Sequence, residues 1–167
     1  MYDFLKQDDK LKLKGLAYYQ IAGGIFGIGA LIFALAQAGA ITGLLLLLYI
    51  LAFGLYSFSI FCGQQLLKGN LIKGLKISTI NQVIQTIQFA VFGISFQYIS
   101  GFGFTTGFDI TADFKFVSTF SLSEFICNVN YEKDLAIVGI NIVAIIVLYF
   151  IENLKRKIKT GSITEKQ

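Results

Sequence analysis

The sequence predicts an all-α membrane protein, a four-transmembrane-helix bundle with a long outer loop that carries short β-strands. Three observations lead there. Hydrophobic residues make up 55% of the chain and charged residues 14%, where a water-soluble domain carries about 25% charged. No charged residue occurs between Lys14 and Lys68. Lysine and arginine collect at the ends and in the middle of the chain, as expected when they sort to one face of a bilayer. With 167 residues the chain is read as a single integral membrane domain, 1–167.

The charge-free stretch is too long for one span of about 20 residues and suits two joined by a tight turn. The turn is legible as Gln37-Ala38-Gly39-Ala40 followed by Thr42-Gly43. Spans are therefore expected at about 16–38 and 43–67. Because backbone polar groups in lipid must be bonded internally, a helical hairpin is the economical structure here. A polar link, Lys68 to Lys76, precedes a third span at about 77–100. The outer loop is 101–134, and a fourth span at 135–151 stops at Glu152 and the basic run Lys155-Arg156-Lys157. Residues 160–167 read as a disordered tail, and Met1–Lys14 as a short interfacial helix. The first apolar run is longer than a signal-peptide core and is read as an uncleaved span.

With four spans, 12 of the 14 basic residues lie on one side, leaving Lys115 and Lys133 in the outer loop. That distribution places both termini in the cytoplasm and the chain in a cytoplasmic (inner) membrane. Tyr18, Tyr19, Tyr98, Tyr131 and Tyr149 fall at the expected interfacial depths. The preference for Lys over Arg, with abundant Ile, Phe and Asn, points to an AT-rich bacterial source. The net charge of +4 is spread over the links between apolar runs and is no nucleic-acid signal. The expected partners are the lipid bilayer and a homo-oligomer or larger membrane complex. Histidine is absent, which removes the commonest general base and metal ligand. Cys62 and Cys127 are expected on opposite sides of the membrane, as unpaired thiols. No cofactor, metal or catalytic group is expected.

Three features are candidates for function. Gly23, Gly27, Ala30, Ala34 and Ala38 recur at three- and four-residue steps, a small-residue face for close helix packing within one subunit or between copies. In the third span, Ser78, Asn81, Gln85, Gln88 and Ser95 share one face opposite Ile80, Val83, Ile87, Val91 and Ile94. Gln20, Gln64 and Gln65 fall at the same, cytoplasmic, depth, and Asn141 lies nearer the outside. The amide set Asn81, Gln85, Gln88, Gln64 and Gln20 reads either as interhelical hydrogen bonds that fix the bundle or as the lining of a ligand cavity. The outer loop alternates with period two, with Phe108, Phe114 and Phe116 among the apolar positions. This predicts one or two strands lying with their Phe face on the bundle, serving as a lid or as a partner-docking edge. Asp109-x-Thr111-x-Asp113 lacks the further oxygen ligands and glycine of a calcium loop.

Two functions are expected to compete. One is a non-catalytic polytopic membrane protein, an accessory, assembly or scaffold subunit of a membrane complex. The other is a small oligomeric transporter or channel that uses the Asn/Gln face of the third span.

Overall fold

The computed structural model describes residues 6–39, 42–129 and 134–164, with side chains to 160. Its elements are α1 Gln7–Gln37, α2 Gly43–Leu67, α3 Leu71–Thr86, β1 Ile87–Val91, β2 Ile94–Tyr98, β3 Phe102–Asp109, β4 Lys115–Leu122, β5 Phe125–Val129, β6 Ile137–Asn141 and α4 Ile142–Thr164. The six strands form one antiparallel sheet in the order β4-β3-β6-β1-β2-β5.

This overturns the four-span helical bundle. Among the described residues, two helices, α1 and α2, are long and apolar enough to cross a bilayer. Their most apolar windows are only 22% and 17% buried, so most of the hairpin's apolar surface faces outward. Thr42 caps α2 by accepting the Leu45 N–H at 3.2 Å. The expected third span instead breaks at Thr86 and turns into a β-hairpin. Ile87, Phe89 and Val91 alternate on β1, and Ile94, Phe96 and Tyr98 alternate on β2. A two-residue turn at Phe92-Gly93, with φ of 53° and 80°, puts Val91 opposite Ile94 and Phe89 opposite Phe96. The turn reverses the parity of the alternation, so the same apolar residues also fit a helical period. β-branched and aromatic residues then favour the strand. The expected fourth span is likewise divided. Ile137–Asn141 is strand β6, and the Asn141 Oδ1 accepts the Val143 and Ala144 N–H groups at 3.1 and 3.4 Å. A residue that reads as an in-span amide is thus the cap that starts α4. α4 extends to Thr164 through the start of the expected tail; 165–167, Met1–Leu5, Tyr131 and Lys133 lie outside the described residues.

Phe92 is 91% exposed and occupies a left-handed conformation that suits Asn or Gly. Phe92→Asn is expected to raise the thermal unfolding midpoint in detergent, corresponding to about 1 kcal/mol. An unchanged or lower midpoint would mean that the ring makes a stabilising contact.

Order along the sheet conceals a closure. Its edge strands β4 and β5 are consecutive in the chain, joined only by Ser123 and Glu124. A flat six-stranded sheet is about 24 Å across at a spacing of about 4.8 Å, whereas Leu122 to Phe125 reaches no more than about 11 Å. The sheet therefore curls until its two edges meet at one end. There, β2 and β3 form one bent strand and β4 and β5 another. They are stitched by Ile99 N–H to Glu124 O and Ser123 N–H to Gly101 O, each at 2.8 Å. Ile99, Ser100 and Gly101 lie opposite Ser123 and Glu124, a bulge with one extra residue. Gly101 (φ 99°) and Ser123 (φ 45°) supply the positive angles it needs.

The curl gives the sheet unlike faces. Gly103, Thr105, Gly107, Ser121, Gly139 and Asn141 are buried on the inner face. A Cβ on Gly107 would lie 2.1 Å from the Val138 carbonyl oxygen, so the strands bend toward this side. On the outer face Phe102, Phe104, Phe108, Phe116 and Phe120 are exposed. The expectation that the Phe face lies down on the helices is thus reversed for β3 and β4. Small and polar residues allow the tight inner radius, and large rings fit only outside.

The helices meet at the opposite end. Leu13, Leu16 and Ala17 of α1 pack with Leu66 of α2, Leu71 and Leu75 of α3, and Ile151, Leu154 and Ile158 of α4. Lys157 donates to Asp9 Oδ1 at 2.6 Å, tying α4 to the start of α1. Lys14, Lys68, Lys73, Lys76 and Lys155 flank this cluster in sequence, so the basic segments gather at one end of the molecule. The polar tip Asp109–Lys115 belongs to the β3–β4 turn.

Candidate functional site

The corner of the bent strands rests on α1 and α2, and the buried polar residues converge there. The Ser59 Oγ donates to the Gln20 carbonyl at 3.0 Å. It accepts from Asn81 Nδ2 at 3.2 Å and from Ser100 Oγ at 2.9 Å. Tyr98 donates to the Leu55 carbonyl at 2.8 Å, with Asn81 Oδ1 at 3.2 Å, and its ring packs edge-on against Tyr56. Ser78 Oγ donates to Gln20 Oε1 at 3.1 Å. The Gln85 Oε1 accepts the Ser100 N–H at 2.8 Å, satisfying a backbone group at the corner. Ser123 Oγ donates to the Gly23 carbonyl at 2.9 Å and accepts the Gly101 N–H at 3.0 Å. Gln20, Ser59, Ser78, Asn81 and Ser100 are all 0% exposed. One network therefore joins α1, α2, α3 and the sheet.

The amide set divides in the structure. Asn81, Gln85 and Gln20 belong to this network. Gln88 is not on a helix; it is on β1 and on the inner face of the sheet. Gln64 is exposed on α2, while its neighbour Gln65 is buried and accepts from Asn70 Nδ2 at 2.9 Å. Successive residues of α2 point about 100° apart, so Gln65 falls on the packed side and Gln64 on the exposed one. Sequence reasoning missed Ser59, Tyr98, Ser100 and Ser123 as members. The positive φ and bulge that bring the last two onto α1 leave no signal beyond Gly101.

Not every buried amide is satisfied. Among the described residues, Gln20 Nε2, Gln85 Nε2, Gln88 Oε1, Thr105 Oγ1, Asn141 Nδ2 and both polar atoms of Gln82 have no partner. A cavity of about 300 Å³ opens on the inner face beside Gln88, Ser95, Gln97 and Asn128. Gln97 Nε2 there donates to Glu124 Oε2 at 2.8 Å, and Asn128 Nδ2 to Ser95 Oγ at 3.1 Å. The cavity holds amides and hydroxyls without a nucleophile–base pair. Among the described residues no group of three His, Cys, Asp or Glu could hold a metal. Asp109 Oδ1 accepts the Thr111 N–H at 2.9 Å, closing its own turn. The Thr111 hydroxyl and N–H hold this exposed carboxyl below its ordinary range.

The small-residue ladder also divides. Gly23 meets the sheet corner, where a Cβ would be 2.4 Å from Gly101 N. Gly27 faces the Tyr56 ring. Ala30 and Ala34 are exposed and Ala38 half-buried, so the ladder packs only in its first half. Phe108, Phe114 and Phe116 come together at the β3–β4 tip, with Phe108 centroids 4.7 Å from Phe114 and 5.9 Å from Phe116. Cys62 and Cys127 are free thiols.

Comparison with protein-family models finds no match, and comparisons with curated proteins and with solved structures find none either.

Proposed function

We propose that the protein is a non-catalytic, membrane-anchored scaffold or assembly subunit. The α1–α2 hairpin is its bilayer anchor, and the aromatic outer face of the sheet is its docking surface. The observation that carries this reading is where the polar and apolar groups sit. Asn81, Gln85 and Gln20 are spent on holding the fold, while Phe102, Phe104, Phe108, Phe116 and Phe120 are turned outward. A contiguous exposed apolar face is a usual mark of an interaction surface. Gathering of the basic segments at one end supports a cytoplasmic location for both termini in an inner membrane.

The test is purification from native membranes in mild detergent, with the wild type beside Phe108→Ser/Phe116→Ser. Wild type should carry a stoichiometric companion that the variant loses while eluting as a folded protein. A wild type that purifies without any companion would sink the scaffold reading.

A transporter or channel is the second reading, favoured by buried amides that lack a partner among the described residues, of which Gln88 lines the cavity. Gln82 separates the two. Leaving a buried amide unpaired costs about 1–3 kcal/mol. Under the scaffold reading Gln82→Leu raises the unfolding midpoint in detergent. If the amide holds a solute or a bound water, the same change lowers it.

A further inference from the structure

Among the described residues, the sheet ends in two edge strands, β4 and β5, with no strand beyond them. β4 is exposed along nearly its whole length, with Ser121 alone buried. β5 borders a cleft of about 430 Å³ whose opposite wall is the helical hairpin, with Leu31, Ala34, Leu45 and Tyr49. Both parities of β5, Phe125 to Asn128, line this cleft, so it runs along the strand's edge. An open edge presents backbone groups that lack partners. In lipid these cannot be left unbonded, and in water they are bonded by solvent but remain a template for another strand. β4 is therefore open to a partner strand.

We propose that β4 of one copy of this chain enters the cleft beside β5 of the next. The topology selects this pairing over the alternatives. β5 runs along α1, from the corner at Gly23 to the level of Leu31 and Ala34. β4 runs toward that corner and β5 away from it. Two upright copies side by side thus present β4 and β5 antiparallel. Phe116, Ser118 and Phe120 then share a face with Phe125, Cys127 and Val129, because both sets alternate on the outer side. Antiparallel β4–β4 pairing would turn one copy upside down relative to its helical hairpin. Parallel β4–β4 pairing would set the aromatic face of one copy beside the polar face of the other. The β4–β5 contact is head-to-tail, so every copy keeps one edge to offer and one cleft to fill, and the contacts continue past a dimer. No charged residue lines the cleft, and β4 carries none beyond Lys115 at its far end. The exposed Ala34 of the small-residue ladder helps to form the wall that receives it. The contact depends on the two edges and the cleft, and not on the scaffold reading.

Cys127 lies on β5, on the face that would abut Ser118, and serves as a built-in probe. In a Cys62→Ala background, Phe116→Cys, Ser118→Cys and Phe120→Cys are made singly and oxidised in native membranes with copper phenanthroline. A disulfide requires Cα atoms within about 4.4–6.8 Å. The expected result is that at least one of the three gives a non-reducing ladder extending past dimer and disappearing in the Cys127→Ser version. Thr119→Cys, on the opposite face, should cross-link at least ~10-fold less. Cross-links that persist without Cys127 would establish β4–β4 pairing, and cross-links that stop at dimer would show a closed two-fold contact; either would overturn the proposal. So would the absence of any cross-link in all three variants, or a monomer when the unmodified protein is sized in lipid nanodiscs.

Discussion

Gly23→Ala is expected to be strongly destabilising. A Cβ there would lie 2.4 Å from Gly101 N and 2.6 Å from Ser100 C. These are backbone atoms, and they cannot swing aside as a flexible side chain can. The corner is held by the Ser123 hydroxyl between the Gly23 carbonyl and the Gly101 N–H, and by Gln85 on the Ser100 N–H. Pushing α1 away from the corner breaks the contact at which the sheet meets the helices. Overpacking of this kind costs about 1–3 kcal/mol, and each corner hydrogen bond lost adds about 1 kcal/mol. A loss on the order of 3 kcal/mol is expected, read as a lower thermal midpoint or faster proteolysis in detergent. Gly29→Ala and Gly54→Ala are the controls. Nothing lies within 4 Å of a Cβ at either position, and alanine favours a helix by about 1 kcal/mol over glycine. They should be neutral or stabilising. Gly23→Ala behaving like these controls would show that the corner does not bear on α1.

Ser59→Ala removes the hub of the buried network with little change in shape. The hydroxyl is the acceptor for both Asn81 Nδ2 and Ser100 Oγ, and both residues are 0% exposed. Each donor left unpaired costs about 1–3 kcal/mol, so a total near 3 kcal/mol is expected. Asn81 also sits 3.2 Å from the Tyr98 hydroxyl, so the damage should spread from the helices to the sheet. Hydrogen exchange should speed up on β2 as well as on α2 and α3. Exchange confined to α2 would mean that the helices and the sheet are separate cooperative units. Ser59→Cys keeps a weak donor and acceptor at the same place and should lose less than alanine.

The helical hairpin was legible because its signal is one-dimensional. No charge interrupts 15–67, and a span needs only length and apolarity. The gathering of the basic segments was legible for the same reason. The third and fourth spans were misread where two periods coincide. Ile87, Val91 and Ile94 fit a helical face, and they fit two strands just as well once the Phe92-Gly93 turn reverses parity. Asn141 looked like a polar residue within a span because a strand and the helix it caps were both apolar. The outer-loop alternation fixed which residues share a face in β3 and β4. It carried no information on which face would be turned inward.

What the residues determined alone is thus the composition of each face and the presence of two helices long and apolar enough to cross a bilayer, since both follow from patterns local in sequence. Tertiary structure decided the rest. The edge strands meet because a bulge at Ser100-Gly101 and Ser123 bends two strands together, a contact between segments far apart in the chain. The radius of that bend then sends glycine and small polar side chains inward and phenylalanine outward, because only small groups fit the tighter side.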